Sequence, residues 1–237
     1  RLVAFLKIAQ IDYKTKYGQI SMGLIGMNTY GVQEKNWGYR FIEQSAVDRK
    51  GFSSTADIGM GISRDLIDNL YVSLQVTNGE GFKKSQGDKF HKISFNTTYG
   101  DRKLNENDGY NAGFIYSTES TDSDPTNMIS AFGGYAGMGL RIGAEYDMLT
   151  KAGNYESNII SVSTNYSVTD KIDAYLRYDI SDDNDSENKK GSNYLILGVL
   201  LNCDNGLSVA PNMRMTSYED NTKDNAKEYK VNFQFKF

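Results

Sequence analysis

The chain has 237 residues, 39% of them hydrophobic, and a net charge of −4. No run of about 18 apolar residues occurs, which excludes membrane-spanning helices, and the supply of aromatics (17 Tyr, 11 Phe) excludes a disordered composition. A single cysteine (Cys203) excludes a disulfide framework, a single histidine (His91) excludes most zinc centres, and a pI near 5.2 argues against nucleic-acid binding.

In chain order, alternation of apolar and polar residues predicts about thirteen strands. They lie near 2–15, 19–30, 53–63, 70–78, 90–100, 109–118, 128–136, 139–149, 158–168, 171–181, 192–202, 207–218 and 228–237. Tyr110, Ala112, Phe114 and Tyr116 oppose Asn111, Gly113 and Ser117. Leu140, Ile142, Ala144, Tyr146 and Met148 oppose Arg141, Gly143, Glu145 and Asp147. Ile172, Ala174, Leu176 and Tyr178 oppose Asp173, Tyr175, Arg177 and Asp179. Segments 128–136 and 192–202 do not choose a face, and Pro211 predicts a bulge or irregular pairing because it cannot donate to a ladder. In the last segment Tyr229, Val231, Phe233, Phe235 and Phe237 alternate with Lys230, Asn232, Gln234 and Lys236.

Short connections alternate with long polar ones, which places the long loops at one end of an up-and-down sheet. Strands of about 9–11 residues suit a tilted bilayer crossing, whereas soluble strands run nearer 5–6. Tyrosines at the ends of the apolar faces (Tyr13, Tyr30, Tyr99, Tyr110, Tyr116, Tyr146, Tyr166, Tyr178, Tyr229) read as an interfacial girdle. The prediction is an all-β, transmembrane, antiparallel up-and-down β-barrel forming one domain over 1–237. The alternative is a soluble sandwich or propeller with the apolar faces inside.

The terminal Tyr229–Phe237 segment, with its final aromatic, resembles the terminal strand signal of Gram-negative outer-membrane porins. The stretch Tyr30–Ile42 resembles the long-loop region of the phosphate-selective porin-like group. The resemblance implies a bacterial outer-membrane location, contact with the lipid bilayer and lipopolysaccharide, no cofactor, a possible homotrimer, and a long loop folded into the lumen. In that class both chain ends lie in the periplasm, so the strand number is even. Thirteen strands then imply a full barrel of 14 or 16, with one to three N-terminal strands absent; a miscounted segment is the alternative.

The polar faces would line the lumen. Lys14, Lys92, Arg141, Arg177, Arg214, Lys230 and Lys236 nearly balance Asp12, Asp57, Glu145, Asp147, Asp173 and Asp179. Such a wall suits a water-filled pore for small hydrophilic solutes or ions. Arg141, Arg177 and Arg214 could form an anion-attracting ladder, or could pair with Glu145, Asp173 and Asp179 and stabilise the wall. Loop 31–52 carries Trp37, Tyr39 and Phe41, aromatics that call for packing, so it is the candidate constriction, with Arg40 and Glu43 facing the aperture; packing on the rim or a neighbouring subunit is the alternative. The acidic loops 118–124, 181–187 and 219–224 read as solvated rather than as metal sites. His91, on the Ile93 and Phe95 face, gives no catalytic pair, so the expected function is passive diffusion and not an enzyme. A structural or adhesin-like barrel acting through its loops is the rival reading.

Overall fold

The computed structural model describes residues 6–183 and 191–236. Positions 2–5 of the first predicted strand, positions 184–187 of the acidic loop and the final Phe237 lie outside the described residues. Thirteen strands hydrogen-bond in chain order as one antiparallel sheet. They are β1 (Ala9–Thr15), β2 (Gly18–Gly26), β3 (Ala56–Ile67), β4 (Leu70–Thr77), β5 (Lys92–Gly100), β6 (Gly109–Glu119), β7 (Thr126–Gly137), β8 (Leu140–Lys151), β9 (Tyr155–Thr169), β10 (Ile172–Asp182), β11 (Gly191–Asn202), β12 (Leu207–Tyr218) and β13 (Ala226–Phe235). Two short helices, α1 (Gly31–Trp37) and α2 (Ala46–Arg49), lie between β2 and β3.

The alternating pattern is what sets the two faces of this sheet, because successive strand side chains point to opposite sides. Ile58, Met60, Ile93, Phe95, Phe114, Ile160, Val162, Leu176 and Phe233 are exposed on the outer face, while Ser94, Asn96, Ser161, Ser163, Arg177 and Asp179 are buried on the inner one. This is the reverse of a water-soluble sheet, which would bury the first set and expose the second. Eight of the nine predicted girdle tyrosines are exposed; Tyr30 is not, because its hydroxyl donates to the Thr55 carbonyl at 3.1 Å and its ring packs beside the buried Ala46–Phe52 cluster.

Several expectations change. Strand lengths run from 7 residues in β1 to 15 in β9. Loop lengths do not alternate strictly: β8 and β9 are joined only by residues 152–154, since Lys151 pairs with Tyr155, while the opposite end carries the eight-residue turn 101–108. That turn is ordered by burial of Leu104. β5 begins at Lys92, so His91 belongs to the preceding loop, where it is exposed and lies 3.4 Å from Gln86. At Pro211 the β11–β12 ladder is interrupted between Gly198↔Asn212 and Leu201↔Val209. Segments 128–136 and 192–202 do choose faces: Met128, Ser130, Phe132, Ile196 and Leu200 point inward.

Candidate functional site

The residues between β2 and β3 fold into the interior of the curved sheet and touch wall positions from β4 to β13. Asn28 opens the segment by donating to the Ser73 hydroxyl at 3.1 Å and accepting from Ser94 at 2.7 Å. α1 then lies against β6–β9. Gln33 donates to Ser130, and Asn36 exchanges two hydrogen bonds with Asn111 at 2.8 and 2.9 Å. The wall under α1 is glycine: a Cβ at Gly134 would come within 2.8 Å of Asn36 Nδ2, and one at Gly143 within 2.9 Å of Asn36 Cβ. α1 ends at Gly38, whose φ of 76° closes the helix on the Glu34 carbonyl and leaves room for the Arg141 guanidinium.

Three arginines on alternate strands hold the segment from the end of α1 to the start of α2. Arg141 on β8 donates to the Trp37 carbonyl at 3.1 Å, Arg177 on β10 to the Gln44 carbonyl at 2.5 Å, and Arg214 on β12 to the Ile42 carbonyl at 2.6 Å. Buried backbone carbonyls need donors, and a guanidinium can serve a carbonyl and a carboxylate at once. Arg177 also pairs with Asp179 at 2.8 Å, and Asp179 takes Arg49 from α2 at 3.0 Å. Arg214 pairs with Glu43 at 2.7 Å, and the Tyr194 hydroxyl donates to the same carboxylate at 2.8 Å. Asp147 is fully buried beside Ser130, Glu145, Arg177 and Asp179.

Apolar contacts complete the seat. Trp37 and Tyr39 pack edge-on at 5.4 Å, and each meets Tyr175 on β10, at 6.0 and 5.3 Å. Each such aromatic pair contributes about 0.5–1.5 kcal/mol beyond the area it buries. Ile42 joins this cluster with Ile196, Leu200 and Ala210 of the wall. Val32 packs with Ile115 and Phe132, and Ala46, Val47 and Phe52 with Met128, Leu149 and Ile159. These inward apolar residues were missed in the sequence; an isolated Ile or Met on an otherwise polar strand face is the signal of something seated there.

The predicted lumen residues therefore separate into groups. Arg141, Arg177, Arg214 and Glu43 are brought together under the inner segment, with Asp173 accepting from the Tyr39 hydroxyl at 3.3 Å. Glu145 lies behind α2, with one oxygen unpartnered. Arg40 points the other way, away from the wall, onto Glu34 and Asp48, both at 2.5 Å. Lys92 is buried 3.7 Å from Glu119, and Lys14 is exposed on β1.

Three larger cavities remain, one of them, of about 640 Å³, at the short-turn end between Lys35, Asp65, Asp68, Asp101, Arg102 and Lys103. Another, of about 830 Å³, sits at the long-loop end, between Arg40, Gln44 and Asp48 of the inner segment, the 79–84 loop, and the ends of β5, β6 and β8. The third, of about 290 Å³, lies between β1–β5 and the start of the inner segment, and its wall is mainly amides and hydroxyls: Gln10, Gln19, Ser21, Asn28, Ser73 and Gln75. Among the described residues, no group of three or more His, Cys, Asp or Glu side chains is placed to hold a metal ion.

This architecture is that of the outer-membrane porin β-barrels. The chain superimposes on Pseudomonas putida OprB with a TM-score of 0.70 at 14% identity, over 95% of this chain and 71% of that one. It matches OmpTdeltaL8, a loop L8 deletion mutant of the Vibrio cholerae outer membrane protein OmpT, at 0.68 and 16%, over 95% and 78%. It matches Salmonella typhi OmpF, in a complex with daunomycin, at 0.67 and 14%, over 96% and 78%. At these identities the likeness is one of fold. No protein-family model and no curated protein sequence matches the chain.

Proposed function

We propose that this protein is a passive channel of the bacterial outer membrane, admitting small hydrophilic solutes and ions past a constriction made by residues 27–55. The observation that carries this reading is the pinning of that segment inside the sheet by Arg141, Arg177 and Arg214 through its own carbonyls. An internal segment so fixed narrows a lumen to a set width, and sieving needs no chemical step. The polar inner face, the amide-lined cavity and the likeness to porins support the same reading.

The sheet as described has two edges, since β1 pairs only with β2 and β13 only with β12. Edge groups facing hydrocarbon would each cost several kcal/mol. We infer that the working protein is one closed barrel domain of 14 or 16 strands. A trimer with lipopolysaccharide at its outer rim fits the class; one Vibrio cholerae OmpT structure similar in fold is described as a trimer form.

Planar-bilayer recording of the detergent-purified protein tests the function. Discrete conductance steps are expected. A barrel that inserts but never conducts would instead be a structural or adhesin-like protein acting through its loops.

A further inference from the structure

We propose that Arg102, together with Lys35 of α1, forms a second aperture at the short-turn end of the lumen. The stack of Arg102 on Tyr71 sets its width. The inference rests on the channel reading above and adds a second size-determining position to it.

The turn that carries Arg102 is unlike its neighbours. Among the described residues, the other connections at this end have two to four residues, whereas 101–108 has eight. It folds inward rather than out into water. Leu104 is 2% exposed, and a Cβ on Gly134 would come within 2.8 Å of both Leu104 Cδ1 and Asn36 Nδ2. The turn and α1 therefore share one seat on β7. Asn111 ties them together, its amide donating to the Asp101 carbonyl at 2.7 Å and to Asn36 at 2.8 Å.

From this strut the Arg102 guanidinium reaches back along the wall. It lies 3.7 Å over the Tyr71 ring on β4 and 3.6 Å from Asp65 on β3. Tyr71 lines the inner cavity of about 290 Å³, and Asp65 lines the short-turn cavity of about 640 Å³. Arg102 and Lys35 line both, and among the described residues no others do. The two side chains thus mark the neck between the cavities. Lys35 is repelled there by Lys103 and Arg102.

Stacked on Tyr71, the planar guanidinium rests against the wall and the neck stands open. Its restraints are modest ones, a ring face and a carboxylate at 3.6 Å, and the side chain is 39% exposed. Away from the ring, so long a side chain reaches into the neck and narrows it.

The test is single-channel recording of the detergent-purified full chain in planar bilayers, with neutral polyethylene glycols of graded size added to one side at a time. Arg102→Ala should raise the size of the largest polymer that enters from the short-turn side. Entry from the other side should not change, because residues 27–55 are met first there. Tyr71→Leu releases Arg102 and should introduce brief closures, which the double variant Tyr71→Leu, Arg102→Ala should lose. Unchanged sieving in Arg102→Ala, or closures that persist in the double variant, overturn the aperture and leave the channel reading intact. An equal change from both sides also overturns it, since that marks a general loosening of the barrel. Absence of any wild-type conductance overturns both readings.

Discussion

Arg214 on β12 holds the Glu43 carboxylate at 2.7 Å, although 171 residues separate them in the chain. Both side chains are largely buried, at 8% and 13% exposure, and the same guanidinium donates to the Ile42 carbonyl. A buried pair is costly to break one-sidedly, because the remaining charge is left unpaired. Glu43→Ala should destabilise the seat of the inner segment by about 3–5 kcal/mol. Single-channel conductance should rise and become noisy, and trypsin should cut the folded protein after Arg40 or Arg49. Glu43→Gln, which can still accept from Tyr194 and Arg214, should show a smaller effect. Quiet, unchanged conductance in Glu43→Ala would contradict the pinning role.

Trp37 fills the centre of the aromatic cluster and donates its indole N–H to the Glu43 carbonyl at 3.0 Å. Truncation to alanine removes both the packing and the donor, at about 3–5 kcal/mol. Trp37→Phe keeps most of the packing and should cost less. The difference is measurable as a shift in the temperature at which the folded band disappears in gel electrophoresis. Equal stability of the two variants would show that the cluster does not hold the segment.

Arg40, predicted with Glu43 to face the aperture, pairs with Glu34 and Asp48 of its own segment rather than with the wall. Burial lowers its pKa, but Glu34 and Asp48 outweigh this and hold the guanidinium charged. Arg40→Glu would place three carboxylates beside one another at the long-loop cavity. The reversal potential should move toward cations and some stability should be lost with it, because Glu34 and Asp48, 22% and 15% exposed, lose their partner and face a third like charge. An unmoved reversal potential counts against a constriction role for this residue.

Lys35 sits on α1 rather than on a strand, and its pKa is lowered by burial first and then by Lys103 and Arg102. A lowered pKa means its charge is lost before that of exposed lysines as pH rises. The reversal potential should therefore begin to move toward cations on the acidic side of the ordinary lysine range. Lys35→Met should have a flat profile over that interval. A wild-type profile that stays level until exposed lysines titrate would show that permeating ions do not sense Lys35.

Ile160 is exposed on the outer face of β9. If that face meets lipid, Ile160→Lys costs up to about 2–4 kcal/mol near the membrane midplane and ~0–1 near either interface. Urea unfolding in lipid vesicles reads this directly, with Ile160→Leu as the control. A face that met water would gain solubility from the lysine and lose nothing.

How much of this was legible beforehand varies from residue to residue. Thirteen strands, their order along the sheet and the direction of Ser161 against Ile160 follow from a period of two, which any residue and its neighbours carry locally. The packing of segment 31–52 was legible in Trp37 and Tyr39, because solvated loops have no use for such rings. Its helices were not: α1 is seven residues long, too short to stand without the wall it lies on. The targets of Arg141, Arg177 and Arg214 were not legible either. Their sequence suggested a ladder or cross-strand pairs, and the carbonyls of Trp37, Gln44 and Ile42 carry no signature.

Chain order alone assigns the apolar face of each strand, because alternation is local and needs no partner. The use made of the inward face is settled in three dimensions. A charged side chain on a wall can meet water, a neighbour strand or a segment folded back from more than a hundred residues away. Which of these it meets depends on distances that chain order does not encode, and so the division between seat and passage emerges only when segment 27–55 is laid against the wall.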